Sequence, residues 1–466
     1  MPRSECTIVG GGVAGLTAAI ALAKQGVFVR LIEEKPNCGG RAYSFTDRET
    51  NDQLDNGQHL LAGCYYSFLH FLREIGTEQK ILRPKKLRLP FKHRDGREAE
   101  LKVDFLPHPF GLVGAILRYS ILSVRERLAV LRFMIRLRFV SEADLDELDE
   151  ISVLEWLRSE KQSQHTIECF WNVIALATLN ADAAYSSAKL FAIVVKQMFL
   201  SSARASTLLA PTVSLSELYV DNALALLKRY NGEVILHNGV RKIIWQDNKI
   251  CGLLLRDGTL LETSAVIFAI PPVKLQKLIP IEWQQDEPFD ALHRFQFSEI
   301  ASYHVWSKTR ITEEPMTGFL GSPLQWIFSK GKSQDGNWLY SCVISSAQSQ
   351  KAQTQSAADD ASCEMIIQTL RDFYPHITRN TITKIVAIRE KSATFLPLPM
   401  MESARPGVHT AFDNAYLAGD WTATHLPATL EGAARSGYQA AEAFMKGNRK
   451  EREIDFRYQH VPTHHG

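Results

Sequence analysis

Residues 6–34, "CTIVGGGVAGLTAAIALAKQGVFVRLIEE", run from a short apolar stretch through clustered glycines into an Ala/Leu-rich stretch, then through a second apolar run that closes on two acids. This pattern predicts a strand, a tight turn, a helix ended by Gly26, and a second strand over residues 27–32 closing at Glu33. Gly10, Gly12 and Gly15 fall in the G-x-G-x-x-G spacing. The first glycine permits the turn, the second lets a pyrophosphate approach the backbone, and the third lets the helix pack close to the strand. Glycine-rich turns alone are common. Glu33 decides the reading, because it stands about 20 residues on, where a ribose-binding acid belongs. The segment is a dinucleotide site.

At 466 residues the chain exceeds one ordinary core, which predicts two domains. A hydrophobic fraction of 45% with 22% charged residues is that of a soluble globular protein, and a net charge of +2 gives no general pull toward nucleic acid. The seven cysteines are scattered without a Cys-x-x-Cys pair, against a disulfide framework or a metal site and in favour of a reducing cytoplasm. The first strand begins almost at Met1, which predicts no signal peptide. No apolar run approaches the roughly 18 residues of a spanning helix.

Two further blocks carry strands. Residues 233–270 contain an Asp-Gly at 257–258 that reads as a hairpin turn. Residues 414–444 read as a short strand followed by an Ala-rich helix. Between the blocks lie two insertions. The first, 86–210, reads as mostly helical, with capping boxes at Ser123/Glu126 and Ser152/Glu155. The second, 286–405, mixes strands with a Gln/Ser/Ala-rich patch, "SSAQSQKAQTQSAADDAS", read as an exposed loop or helix start. The order predicts an α/β protein: a Rossmann-type nucleotide domain (1–85, 211–285 and 406–446) interleaved with an α+β substrate domain (86–210 and 286–405), and a charged, frayed tail over 447–466.

Six residues past Glu33 stands Gly39-Gly40-Arg41, and far downstream stands Ala418-Gly419-Asp420. With "NGVRKI" (238–243), these resemble the FAD-binding pattern of the flavin amine oxidase and carotene desaturase superfamily. The resemblance implies a Gly-Gly-Arg turn along the diphosphate and flavin, and an Asp420 carboxylate near phosphate and ribityl chain. It implies Val240 backbone against adenine. A helix starting near Leu430 would turn its positive end to the flavin N1/O2 edge and stabilise the anionic reduced form. The same resemblance puts Val13, Ala14, Glu34, Lys35, Ala42, Gly57, Gln58, Gly419, Thr429 and Glu431 on the cofactor. No cysteine follows Cys363, so the covalent attachment of monoamine oxidases is not expected and FAD is non-covalent. The aromatic amine cage of those enzymes is also missing from "PLPMMESARPG" and "LPATLEGA", where Thr429 takes one of the expected places.

"DNGQHLLAGCYYSFLHFLREIG" (55–76) and "ATLNADAAYSSA" (177–188) resemble the hydroxysqualene dehydroxylase family, whose members make squalene in hopanoid-producing bacteria. "AGDWTATHLPATLEGAARSG" is similar both to that family and to plant-type carotene desaturases. The implied substrate is an isoprenoid lipid. About ten sequestered methylenes at roughly 0.8 kcal/mol each would contribute about 8 kcal/mol, so a long apolar tunnel is expected. "LFAIVVKQMFL" (190–200) reads either as its wall or as core. Residues 105–140 hold six arginines and one acid, Glu126, with Ile121, Val124, Leu128, Leu131 and Ile135 at helical spacing. They read either as a core helix with a solvated basic face or as an interfacial helix touching anionic lipid at the inner membrane face. The acids from Glu142 to Glu150 read as a solvated turn.

Reductive removal of an allylic hydroxyl needs hydride from reduced flavin and a proton for a poor leaving group. The quartet in "DNGQH" supplies candidates. His59 would donate the proton, Asp55 would orient or recharge it, and Gln58 would bind the hydroxyl. The plainer reading has Asp55 fastening backbone and His59 as a wall residue. Asn180 and Thr429 are further polar candidates. A polyene desaturase would run hydride the opposite way on the same motifs. A prenyl-binding escort without catalysis is opposed by the intact glycines, Glu33, Arg41 and Asp420. No second glycine-rich motif is visible, which leaves bound NAD(P)H and a separate reductase open as electron sources.

Overall fold

A computed structural model describes residues 4–84, 86–103, 108–346 and 359–447. The opening motif folds as its pattern requires. Strands Glu5–Val9 and Phe28–Ile32 pair in parallel around helix Val13–Lys24, at the centre of a five-stranded parallel sheet. Its order is Glu233–Ile235, Phe28–Ile32, Glu5–Val9, Val266–Phe268, Ala415–Leu417, so segments remote in sequence complete one nucleotide-binding layer. The third motif glycine is forced by packing: a Cβ at Gly15 would stand 1.9 Å from the Gly10 carbonyl oxygen. Helix Leu430–Gly447 lies against helix Val13–Lys24, closing the apolar core under the sheet. The Asp257-Gly258 turn joins Lys249–Leu255 to Leu260–Glu262 in a three-stranded antiparallel sheet with Val240–Gln246.

A second sheet has seven strands, in the order Ile382–Phe395, Phe297–Ser307, Trp338–Ile344, Trp326–Lys332, Met316–Leu320, Arg88–His93, Glu98–Lys102. Helix Asp359–Phe373 covers one face through Ile366, Ile367 and Leu370. The last two strands correct the helical reading of the first insertion: its opening residues form a hairpin that joins the other insertion's sheet, Arg88–His93 pairing in parallel with Met316–Leu320. The described helices of that insertion follow, and it ends in a short strand, Leu208–Pro211, that pairs with Leu61–Ala62 and Ile81–Leu82. Phe133 meets Trp156 and Trp171 edge-on at 4.8 and 4.9 Å between ring centroids, in a core shared with Phe91, Trp326 and Phe328 of the sheet. Both expected capping boxes form, Ser123 with Glu126 and Ser152 with Glu155.

The acidic run is only partly solvated. Asp149 is buried and accepts a hydrogen bond from Ser187 Oγ at 3.1 Å, whereas Glu142–Glu147 is a short exposed helix. Of the Gln/Ser/Ala patch, residues 347–358 lie outside the described residues, as does the tail from 448; a helix begins at Asp359. No described helix is long and apolar enough to cross a membrane.

Candidate functional site

The glycine turn opens onto a cavity of about 880 Å³ that runs from the parallel sheet to the seven-stranded one. At its first end Glu33 is fixed by two backbone donors, Gly11 N at 2.8 Å to Oε2 and Lys35 N at 2.9 Å to Oε1. The carboxylate is held rigidly at the wall, as hydrogen bonding to a ribose requires. Glu34 beside it pairs with Arg256 at 3.0 Å and with Lys274. Val240 lines the same end. Next along the wall come Gly10, Gly12, Val13 and Ala14, then Gly39, Gly40, Arg41 and Ala42. No side chain stands over Gly12 or Gly40: a Cβ at Gly12 would meet only Gly40 Cα, at 3.7 Å. A rigid acid, a bare backbone floor and a helix N-terminus fit an extended dinucleotide.

The Gly39–Ala42 turn is held from two sides. Tyr219 is fully buried and donates to Gly39 O at 2.9 Å and to Ala42 O. Asn56 donates from Nδ2 to Arg41 O at 2.8 Å and accepts from Tyr43 N at 3.1 Å. Arg41 in turn reaches Asp420 Oδ1 at 2.5 Å and Ala393 O at 3.1 Å. Asp420 sits in a loop fastened by Arg405, whose fully buried guanidinium donates to Glu402, Thr424 Oγ1 and the carbonyls of Asp420, Thr422 and Leu426. Helix Leu430–Gly447 begins at the predicted residue, and Thr429 and Leu430 line the cavity with Gly419 and Asp420.

Beyond this point the walls turn apolar. Leu89, Phe170, Ile174, Met316, Trp326 and Phe328 enclose a chamber that meets Gly57, Gln58 and His59. Gln58 Oε1 is buried without a hydrogen-bond partner. A buried acceptor left unpaired costs about 1–3 kcal/mol, so this oxygen is built for a donor that enters the cavity. Burial holds His59 down at about 4, with Asp55 opposing and Lys330 assisting, so its imidazole is neutral at pH 7. Tyr65 lines the same region, and its hydroxyl meets that of Thr429. Burial, then Cys64 and Glu431, push its phenol up, so it stays protonated.

Three expected site residues do not line the cavity. Gly15 serves helix packing, as its 1.9 Å clearance shows. Asp55 lies behind the wall: Oδ1 accepts from Ser44 Oγ at 2.7 Å and Leu215 N at 2.9 Å, and Oδ2 faces Lys330 Nζ at 4.0 Å. Its action on His59 is therefore electrostatic, through space. Glu431 turns away and caps another helix, accepting from Ser67 N at 3.1 Å and Phe68 N at 2.9 Å. In "LFAIVVKQMFL", only Met198 and Phe199 reach the chamber, while Leu190, Phe191, Ala192 and Val195 are core. Asn180 does line it, but in the left-handed region (φ 50°) with its amide engaged by Thr394 Oγ1 and Ser346 N, which ties the helices to the sheet.

Sequence reasoning missed Tyr65, Tyr219 and Arg405. Tyr65 stood in plain view in "GCYYSF", but nothing local marks the other two, because their partners lie far off in the chain or in irregular backbone.

The profile of the family described as "Flavin containing amine oxidoreductase" matches residues 13–445. The chain belongs to this family. Among relatives, it is 28% identical over 452 residues to a hydroxysqualene dehydroxylase of Sinorhizobium fredii, covering 95% of this chain and 98% of that one. It is 23% identical to a zeta-carotene desaturase of Synechocystis, covering 94% and 96%. Its fold is that of an oxidoreductase from Methanosarcina mazei, with a TM-score of 0.73 at 15% identity over 94% of this chain and 100% of that one. Family membership makes the protein an FAD-dependent oxidoreductase of α/β fold, and the dinucleotide cradle just described fits that cofactor.

Proposed function

We propose that this family member removes the hydroxyl of hydroxysqualene reductively to give squalene. The observation that carries the reading is the continuity of the dinucleotide cradle with an apolar chamber, where an unpaired Gln58 acceptor and a neutral His59 meet hydrocarbon walls. A likeness along 95% of the chain to a protein named for this reaction supports it.

In this reading Glu33 binds the ribose, Val240 backbone meets adenine, the Gly12 and Gly40 floor accepts the diphosphate, and Arg41 with Asp420 holds the central chain of FAD. When bound and reduced, the flavin supplies hydride. The residues of the chain do the rest. Gln58 Oε1 accepts the substrate hydroxyl's proton in a hydrogen bond and so aims its oxygen. His59 takes up a proton as the hydroxyl leaves and passes it to that oxygen, which departs as water. The chamber walls exclude bulk water from the allylic cation as it develops.

Anaerobic mixing of photoreduced protein with hydroxysqualene tests the reading. Flavin reoxidation with squalene identified by mass spectrometry supports it. A flavin that stays reduced with hydroxysqualene, yet is reduced from the oxidised state by a polyene, overturns it in favour of a desaturase, the activity for which the Synechocystis relative is named.

Contact with a lipid surface belongs to the same reading. Among the described residues, fourteen large apolar side chains are exposed; Phe110 and Leu117 stand on helix Phe110–Arg118, and Val124, Leu128, Ile135 and Phe139 stand on or just beyond the arginine-rich helix Val124–Arg138. Bare hydrocarbon flanked by guanidinium groups suits the anionic face of a membrane, where this substrate resides.

A further inference from the structure

His59 presents a difficulty for the reaction just proposed. A neutral imidazole holds no proton to spare at pH 7, so one must reach it as the hydroxyl leaves. The wall behind it holds polar groups that no other part of the site uses. Along strand Phe297–Ser307, side chains alternate, so Ile300, Ser302 and His304 share a face, and Ile300 lines the chamber. Ser302 is buried, its Oγ has no hydrogen-bond partner, and it lies 3.4 Å from the point where a Gly57 Cβ would stand. His59 Nε2 lies 3.7 Å from the same point. Beside this residue without a side chain, a hydroxyl and an imidazole nitrogen approach the same point, the pair of polar partners a bridging water needs.

His304 continues the row about 7 Å further along the strand. Its Nε2 is 2.9 Å from Asp55 O, and its Nδ1 is buried without a partner. At the end stands Lys330, with Nζ 4.0 Å from Asp55 Oδ2 and 29% of its side chain exposed. Burial pulls this ammonium below its usual range, with Asp55 opposing.

We propose that Ser302 and His304 relay protons through water from Lys330 to His59, with Gly57 kept bare to hold the last water. The relay rests on the reductive dehydroxylation reading. In the balanced step, the allylic C–O bond breaks and its oxygen takes the His59 proton and departs as water. The carbon gains a hydride, with both electrons, from reduced flavin, which becomes oxidised. The relay delivers to His59 the proton that it passes on, so His59 is neutral before and after the step, and bulk solvent reprotonates Lys330. Ser302, His304 and Lys330 are positioning residues, acting through His59 rather than on the substrate. The charged and titratable groups facing the two histidines are Asp55, Lys330 and, for His304, Asp47.

Ser302→Ala and Gly57→Ala test this at equal flavin content. The new Cβ at residue 57 meets its neighbours at ordinary contact distances, so that variant keeps the fold while filling the water site. Two readouts are taken. Nitrogen NMR of histidine-labelled oxidised holoenzyme, with His59 assigned through His59→Gln, needs no turnover and is expected to show the His59 Nε2 resonance displaced in both variants. Rapid mixing of photoreduced enzyme with hydroxysqualene is expected to show reoxidation slowed at least tenfold, with partial rescue in Ser302→Thr. A His59 resonance unchanged in both variants overturns the relay, as do rates within twofold of the parent. If the parent itself leaves the flavin reduced, the dehydroxylation reading fails, and the NMR readout still decides whether the water link exists.

Discussion

Arg41 Nη2 and Asp420 Oδ1, 379 residues apart in the chain, meet at 2.5 Å on the cavity wall. Each residue was expected to face the cofactor; both line the cavity, and they do so as a pair. The contact fastens the early Gly-Gly-Arg turn to the late Gly-Asp loop, and through Ala393 O to the seven-stranded sheet as well. The Arg41 side chain is 28% exposed and that of Asp420 only 7%. The pair therefore lies between the surface and the deeply buried regimes, where removing one partner leaves the other charge poorly compensated.

Asp420→Ala should weaken FAD binding by about 10- to 100-fold, roughly 1.4–2.7 kcal/mol, with little change in secondary structure. Titration of the apoprotein with FAD, followed by flavin fluorescence, measures it. An unchanged dissociation constant would mean that the ion pair lies outside the cofactor site.

Arg405 makes a sharper case. Its guanidinium is wholly buried and serves Glu402 together with oxygens spread over residues 420–426, Trp421 O among them, a fork that an ammonium cannot reproduce. Arg405→Lys should destabilise the holoenzyme by about 3 kcal/mol and lower its flavin content, although Arg405 does not line the cavity. Thermal melting followed by both circular dichroism and flavin fluorescence checks this. A flavin release temperature equal to that of the parent protein would remove Arg405 from the support of the loop.

These two residues mark the boundary of what a sequence discloses. That Gly10, Gly12, Glu33, Arg41 and Asp420 share one cavity wall was legible because a dinucleotide pattern imposes local demands: a bare backbone, an acid at the end of the second strand, a turn at a set distance. Arg405 and Tyr219 answer to backbone carbonyls that only the folded chain brings near, and no local pattern announces them. Asp55 shows the same limit from the other side. Its place in "DNGQH" suggested chemistry, but Leu215, 160 residues on, takes its carboxylate. The hairpin from Arg88 to Lys102 did carry a signal, Asp95-Gly96, but the strand it joins lies more than 200 residues later, and helical spacing nearby outweighed it. The apolar chamber was expected as a class of site. Its walls were not assignable, because core side chains and tunnel side chains have the same composition.

Acid should destabilise the protein through its two wall histidines. Burial, the larger effect in each, holds His59 and His304 at about 4. In the unfolded chain they take up protons near pH 6.5. Between these values the unfolded state binds more protons, so stability rises with pH across the window and falls as acid is added. The contribution is complete above about pH 6.5 and lost as pH passes through about 4. The melting temperature of the holoenzyme should therefore drop over this range. A His59→Gln/His304→Gln double variant should show a flatter profile there and an unaltered one above pH 7. An equal slope in both proteins would mean that neither histidine is held neutral by the fold.

The exposed hydrocarbon on the helical insertion gives the last prediction. Leu128 and Ile135 on helix Val124–Arg138 are 55% and 63% exposed, and Phe139 just beyond is 77% exposed, whereas Val130, Phe133, Met134 and Leu137 on the opposite side are buried. The helix is thus anchored by one face and keeps a second apolar stripe in contact with water, flanked by Arg125, Arg132 and Arg138. Residues 196–200, which bring Met198 and Phe199 to the chamber, pack against the same helix, so this surface adjoins the hydrocarbon site. Leu128→Asp/Ile135→Asp adds charge where nothing is buried and should leave the melting temperature within about a degree of the parent's. At about 25 cal/mol per Å² of apolar surface withdrawn from water, loss of two such side chains from an interface should weaken binding to phosphatidylglycerol vesicles at least tenfold. Turnover of vesicle-borne hydroxysqualene should fall in parallel, and turnover of detergent-dispersed substrate should not. Equal cosedimentation of both proteins with anionic vesicles would show that the stripe meets something other than lipid.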